Sequence, residues 1–299
     1  MADPSIARLL EGFSLEVMPR TAAKIEDFRP LLPKSTRIYI AHIEGTPIDD
    51  MIATAKRLTE QGFSVMPHFP ARLVRHRDEL STWIERYREE AGVREALVLA
   101  GGPMTPVGAF DSSMQLLETG LFEAAGFNRL HVAGHPEGNR NIDPGGGSKA
   151  TDEALRWKQD YAQSTSADMG IVTQFAFEAN SIFAWEERLR HQGINLPVHL
   201  GIAGPAKLQT LLKFAIACGV GPSLSVLQRR ARDVTRLLLP FEPDDLLADL
   251  AAGTRAREES LIDKIHVFPL GGIMATCDYL ARLTLPEDRS ETAGKDVLR

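Results

Sequence analysis

The feature that most constrains this chain is a rhythm of short apolar runs that stop abruptly. Arg94-Glu-Ala-Leu-Val-Leu-Ala-Gly-Gly-Pro103 is the clearest: Ala96 to Ala100 has strand length and ends at Gly101-Gly102, where a backbone without Cβ atoms lets a ligand approach closely. The same punctuation recurs after Phe13–Val17, Arg37–His42, Phe63–His68, Arg129–Gly134, Met169–Gln174, Leu196–Ile202 and Lys264–Pro269, which makes eight runs. Most of them end on a polar, Gly or Pro residue.

Helical patterns fill the intervals. Thr46-Pro47-Ile48 opens one, with Ile48, Met51, Ile52, Ala55 and Leu58 as its buried stripe and Gln61-Gly62 as its stop. Others span Arg77–Ala91, Phe110–Ala125, Thr151–Ala167 and Glu178–Gln192, after a short lid helix over Asp3–Leu10. Strand and helix alternating every roughly 30 residues describe βαβ units and a parallel sheet. Eight such units predict a closed (β/α)8 barrel rather than an open doubly wound sheet. Between the seventh and eighth runs, Pro205 to Glu259 predicts extra helices: one with Leu208, Leu211, Leu212 and Phe214, a second ending at Leu237–Pro240, and a third over Glu242–Arg257. The expectation is one domain over residues 1–299, with 286–299 a loosely ordered polar tail.

Charge and cysteine content narrow the function classes. A net charge of −6 and a pI near 5.8 argue against a nucleic-acid or anionic-membrane surface. Two cysteines, Cys218 and Cys277, imply neither a disulfide framework nor a thiolate metal site. No run reaches the roughly 20 apolar residues of a membrane span, and the first residues carry no apolar signal core, so the cytoplasm is the expected compartment. Gly145-Gly-Gly-Ser-Lys149 lacks the spacing of a phosphate loop and reads as a flexible loop.

In such a barrel, chemistry belongs at the C-terminal ends of the strands. The polar residues there are Glu16, His42, His68, His135, Glu137 and Gln174, beside Gly101-Gly102. Each has a plain structural alternative. Glu16, inside an apolar run, is either a general acid whose pKa burial raises or one half of an ion pair across the barrel. His68 and His135 read equally as satisfied core histidines or as ligand contacts. Gln174 offers a donor and an acceptor that suit the amide-like edge of a pterin or flavin, and equally a neighbouring loop.

Phe13-Ser-Leu-Glu16, Pro67-His68, His135-Pro-Glu137, Ile171-Val-Thr-Gln-Phe-Ala-Phe-Glu178 and the Pro197-to-Ile202 pattern together resemble the methylenetetrahydrofolate reductase family, over about Phe13 to Leu283. That family consists of FAD-containing (β/α)8 barrels. The resemblance implies that Glu16 is the proton-exchanging glutamate and Gln174 the folate-contacting glutamine. It implies flavin contacts at His42, His68, Ala100, Gly101, Gly102, His135, Glu137 and Asn139, and in the helix around Asp152–Asp160, where Arg156, Lys158 and Gln159 are the candidates.

The departures bear on the same site. The family's Arg-Gly-Asp at the end of strand four is Ala100-Gly101-Gly102 here, so a carboxylate that touches flavin and folate is missing at Gly102. The ligand-stacking phenylalanine after strand seven corresponds to Leu208, the Thr-Tyr of strand two to Ala41-His42, and the first motif continues as Val17-Met18-Pro19-Arg20. The implied activity is a flavoenzyme interconverting 5,10-methylenetetrahydrofolate and 5-methyltetrahydrofolate, with a small-molecule folate as partner, no resident metal, and a homo-oligomeric state. NADH or NADPH is the family's reductant and is disfavoured by the missing carboxylate. Two alternatives stand beside it: a folate- or flavin-binding barrel with little reductase activity, and a metal-dependent lyase using Glu16, His42, His68 and His135.

Overall fold

The computed structural model describes residues 3–218, 227 and 240–284. The expected tail over 286–299, and most of the helical set expected to end at Leu237–Pro240, lie outside the described residues. Eight strands, β1 (Ser14–Val17), β2 (Arg37–Ile40), β3 (Ser64–Pro70), β4 (Glu95–Leu99), β5 (Arg129–Gly134), β6 (Asp168–Ala176), β7 (Val198–Ala203) and β8 (Ile262–Phe268), pair in sequence order and close, β8 onto β1. Every pairing is parallel. The chain is a (β/α)8 barrel.

The helices follow the sequence pattern where it is clean. After α1 (Pro4–Leu9) and the short α2 (Pro19–Ala22) come α3 (Ile48–Glu60) and α4 (Arg77–Ala91), the latter stopped by Gly92 at φ 67°. The Phe110–Ala125 pattern is instead two short helices, α5 (Ser113–Glu118) and α6 (Leu121–Ala124), broken at Gly120, whose φ of 67° takes it out of the helical region. Then follow α7 (Lys149–Ala162), α8 (Ala179–His191), α9 (Leu208–Ala217), α10 (Asp244–Arg255) and α11 (Ile273–Thr284). Outward-facing Leu15, Ile38, Val65, Val98, Val132, Ile171, Leu200 and Val267 meet these helices in one continuous core. Among the described residues no helix is long and apolar enough to cross a membrane.

The inward face is different. Apolar branched residues usually fill a barrel of this kind, but here the interior apolar cluster is small: Tyr39, Met66, Leu97 and Val172, with Leu99 against it. The rest is polar. At the N-terminal end Glu95 bridges Arg37 at 2.5 Å and Arg129 at 3.0 Å, and Arg129 reaches Asp168 at 3.1 Å. Above this plug lie His131, His199 and His266, and above those Glu16 and His68.

Candidate active site at the barrel mouth

Glu16 is the second-last residue of β1, and the parallel register sets it beside Tyr39 on the inward face. Its Oε2 lies 3.3 Å from His68 Nε2 on β3 and 3.7 Å from His266 Nε2 on β8. Neither Nε2 atom makes a hydrogen bond of full geometry, so both imidazoles face the carboxylate at the outer edge of hydrogen-bonding range. His266 is wholly buried, and its Nδ1 is 2.9 Å from Ser14 Oγ. Sequence reasoning did not single out His266, because it sits inside an apolar run rather than at a strand end. The alternation Lys264, His266, Phe268 against Ile265 and Val267 was the available signal.

The expectation that burial raises the Glu16 pKa is corrected. Burial, the largest influence, does push the carboxyl up, but His266 and His68 together outweigh it and hold it at about 2. At neutral pH Glu16 is therefore ionised. The cross-barrel partners of Glu16 are two imidazoles, His68 and His266.

A cavity of about 300 Å³ opens beside it, walled by Glu16, His42, His68, Leu99 and Gly101–Pro103, with Ala41, Ile43 and Glu44 at its edge. Gly101 has φ 100°, and a Cβ there would lie 3.0 Å from Pro70 Cβ, so the turn requires glycine. A Cβ on Gly102 would meet nothing within 4 Å, leaving open space where the family carries its aspartate. Ala100 contributes backbone only: its carbonyl accepts from Arg72 N–H at 2.9 Å. His42 packs on Trp83 with centroids 5.1 Å apart, donates from Nε2 to the Thr46 carbonyl at 3.1 Å, and keeps Nδ1 buried without a partner.

The other sequence-derived candidates are not in that wall. A β-bulge between Val172 and Phe175 re-aims Gln174, whose Nε2 donates to the Cys218 carbonyl at 3.0 Å. Its amide thus holds the segment after α9, the loop-bonding alternative. Leu208 is 4 % exposed and packs with Phe175, Phe177, Leu211 and Phe241 in an apolar cluster outside that wall. Asn139 caps its own turn, accepting from Asn141 N–H at 2.9 Å, and Glu137 is half-buried in the same loop.

On α7 the three candidates separate. Arg156 is exposed, and Gln159 accepts from Asn195 N–H at 2.8 Å before β7, towards the far end of the barrel, so neither is a mouth residue. Lys158 is buried, 5 % exposed, with no hydrogen bond or ion pair among the described residues; burial lowers its pKa to about 8. His135 lies near enough to feel it, and burial with the Lys158 charge brings that imidazole down to about 4. Asp143 already caps the start of α7, accepting from Ala150 N–H at 2.8 Å and Thr151 N–H at 3.1 Å, so Gly145–Lys149 does not present free helix-end donors. Among the described residues no set of three or more His, Cys, Asp or Glu is arranged to hold a metal ion, although Glu16 and His68 do meet.

One of these observations suits a flavin: the space over Gly102 beside the glycine turn.

No family model matches the chain. Among solved structures it is similar to an F420-dependent secondary alcohol dehydrogenase in complex with an F420-acetone adduct (TM-score 0.48, 10 % identity, 92 % of this chain and 99 % of that one). It is also similar to 7,8-dihydropteroate synthase from Vibrio fischeri ES114 (TM-score 0.44, 12 % identity, 91 % and 92 %). A third likeness is endo-beta-N-acetylglucosaminidase from Cordyceps militaris in apo form (TM-score 0.35, 9 % identity, 96 % and 97 %). None of these likenesses assigns a substrate or a cofactor to this chain.

Proposed function

We propose that the chain is a flavin-dependent oxidoreductase that interconverts 5-methyltetrahydrofolate and 5,10-methylenetetrahydrofolate, and that it favours oxidation of the methyl form. The observation that carries this reading is the Glu16 carboxylate, 3.3 Å from His68 and 3.7 Å from His266, at the wall of a mouth cavity that Gly101-Gly102 also lines. When bound, the flavin supplies the hydride chemistry that no side chain here can supply. The protein's part is to bind, orient and handle the proton. Gly101 and Gly102 leave room for a planar ring system, and His68 and His42 border it.

Oxidation of the methyl folate releases one proton per turnover as the five-membered ring closes. Glu16, ionised at neutral pH at the cavity wall, carries no proton of its own and can receive this one, passing it on at once because its pKa is about 2. The absent carboxylate at Gly102 acts in the same direction, because a flavin without a neighbouring negative charge accepts electrons more readily. The test is to purify the protein with excess FAD, remove the unbound flavin, and add 5-methyltetrahydrofolate without oxygen. Retained FAD that bleaches on addition supports the reading; a protein that retains no flavin overturns it.

A further inference from the structure

Two side chains of β1 close on one ring. Ser14 and Glu16 lie two residues apart and so share the inward face of the strand, and Ser14 stands opposite His266 of β8 in the parallel register. The two nitrogens of His266 are divided between them: Nδ1 lies 2.9 Å from Ser14 Oγ, and Nε2 lies 3.7 Å from Glu16 Oε2. Ser14 is 1 % exposed and does not line the mouth cavity. Among the described residues its hydroxyl makes this hydrogen bond alone.

Tyr39 and Phe268 meet the His266 ring edge to face, with centroids 4.5 and 4.7 Å away. They set its plane but not which way round it sits. A half-turn about Cβ–Cγ would keep that packing, exchange Nδ1 with Cδ2 and Nε2 with Cε1, and turn a C–H towards Glu16. The Ser14 hydroxyl decides between the two. It also decides where the ring proton sits. Burial, the largest influence, holds His266 below its ordinary value against the pull of Glu16, so the ring is neutral and carries one proton. On Nδ1, that proton would point at Ser14, the buried serine hydrogen would have no acceptor, and a bare Nε2 lone pair would face a carboxylate. On Nε2, Ser14 donates to Nδ1, and an N–H faces the carboxylate instead. The second arrangement satisfies the serine and sets opposite partial charges against each other.

We infer that Ser14 is a positioning residue for Glu16: by donating to Nδ1 it fixes the orientation of His266 and its Nε2-protonated form, a standing N–H directed at the carboxylate. The consequence for turnover rests on the flavin–folate reading, in which Glu16 receives one proton from the folate each time. A ring already protonated at Nε2 cannot take that proton over. It therefore passes from Glu16 to solvent on the cavity side, where Glu16 lines the wall.

The test uses flavin-free protein labelled with ¹⁵N-histidine at neutral pH, with the His266 signals assigned by their loss in His266→Leu. In wild type, Nε2 should have the signal of a protonated ring nitrogen and Nδ1 that of a bare nitrogen shifted by a donor. Ser14→Ala should remove that shift at Nδ1. In FAD-loaded protein, Ser14→Ala should slow single-turnover reduction by 5-methyltetrahydrofolate about 10–100-fold, the scale of removing a partner that orients a functional imidazole, with FAD retention unchanged. In a His266→Leu background the same change should slow it no further. A wild-type His266 protonated on Nδ1, or on both nitrogens, would overturn the inference. So would a Ser14→Ala protein that reduces its flavin at the wild-type rate, or a slowing that is equal with and without His266. If wild-type flavin is not reduced by the folate, the functional reading fails, and the wild-type and Ser14→Ala spectra alone decide whether Ser14 holds the ring.

Discussion

His68 Nε2 and Glu16 Oε2 stand 3.3 Å apart across the barrel mouth, and neither finds a fully formed hydrogen bond in the other. The pair is built from the ends of β3 and β1, two strands that do not neighbour each other in the sheet. It sets the charge state of the site, since with His266 it keeps Glu16 ionised against burial.

Replacing Glu16 with Gln keeps the shape and removes the base. Glu16→Gln should retain FAD and lose folate oxidation by about 10²–10⁴-fold, the usual contribution of a positioned proton acceptor. Steady-state rates for both proteins at matched FAD occupancy check this, and rates within a few-fold of each other would take Glu16 out of that role.

Gln174 ties β6 to the segment after α9 through one hydrogen bond to Cys218. Gln174→Leu leaves that carbonyl without its donor and should lower stability by about 1 kcal/mol, read from urea unfolding without ligand. Under the folate reading the folate Kd also rises while flavin content stays the same. Unchanged stability would mean that the bond contributes nothing.

Acid should weaken the fold well above the pH at which carboxylates titrate. His199 and His135 are neutral when folded, at about 3 and about 4, and return to the ordinary 6.5 when unfolded. Their contribution is complete above pH 6.5. Below it the unfolded chain binds protons that the folded chain does not, so stability falls with pH until the folded values are reached, by up to about 1.4 kcal/mol per unit for each imidazole. Urea midpoints from pH 7.5 to 5 should fall, and His199→Asn should flatten the slope. An equal slope in that variant would show that His199 is not part of the effect.

The open space at Gly102 makes a direct redox test possible. Gly102→Asp meets no atom within 4 Å of its Cβ, so it places a carboxylate at the cavity wall without forcing the backbone. At roughly 5 Å and an effective dielectric near 20 that charge is worth at most about 3 kcal/mol against a reduced, anionic flavin, less where solvent screens it. With about 30 mV per 1.4 kcal/mol for two electrons, the flavin midpoint should drop by some tens of millivolts. Redox titration measures it, and an unchanged or higher midpoint would contradict the account of the missing aspartate.

The barrel was legible because its strands are short, apolar and closed by Gly, Pro or polar residues, and α4 was read to its ends because Gly92 stops it. The Phe110–Ala125 break was not, since Thr119-Gly120 sits inside an otherwise good helical pattern and only tertiary packing decides that Gly120 turns left-handed. At the site, strand-end position was enough to bring Glu16, His42, His68 and Gly101-Gly102 to one cavity. It did not bring Leu208 to that cavity: Leu208 lies in an apolar cluster with Phe175, Phe177 and Phe241. It missed His266, His131 and His199, because a histidine in mid-strand reveals its direction only through the phase of the pleat, and the neighbouring Ile, Val and Leu residues draw the eye to the outer face. The sign of the Glu16 shift was out of reach for the same reason: burial shows in the sequence, whereas the two imidazoles that oppose it come from β3 and β8.

The measurement that bears most directly on the account is anaerobic single-turnover reduction of the FAD-loaded protein by 5-methyltetrahydrofolate as a function of pH. With Glu16 at about 2, the base is ionised throughout the accessible range. The account predicts complete flavin reduction at a rate that does not rise as the pH is lowered from 8 towards 5.5. A flavin that stays oxidised, or a rate that climbs as a group is protonated in that range, would contradict it.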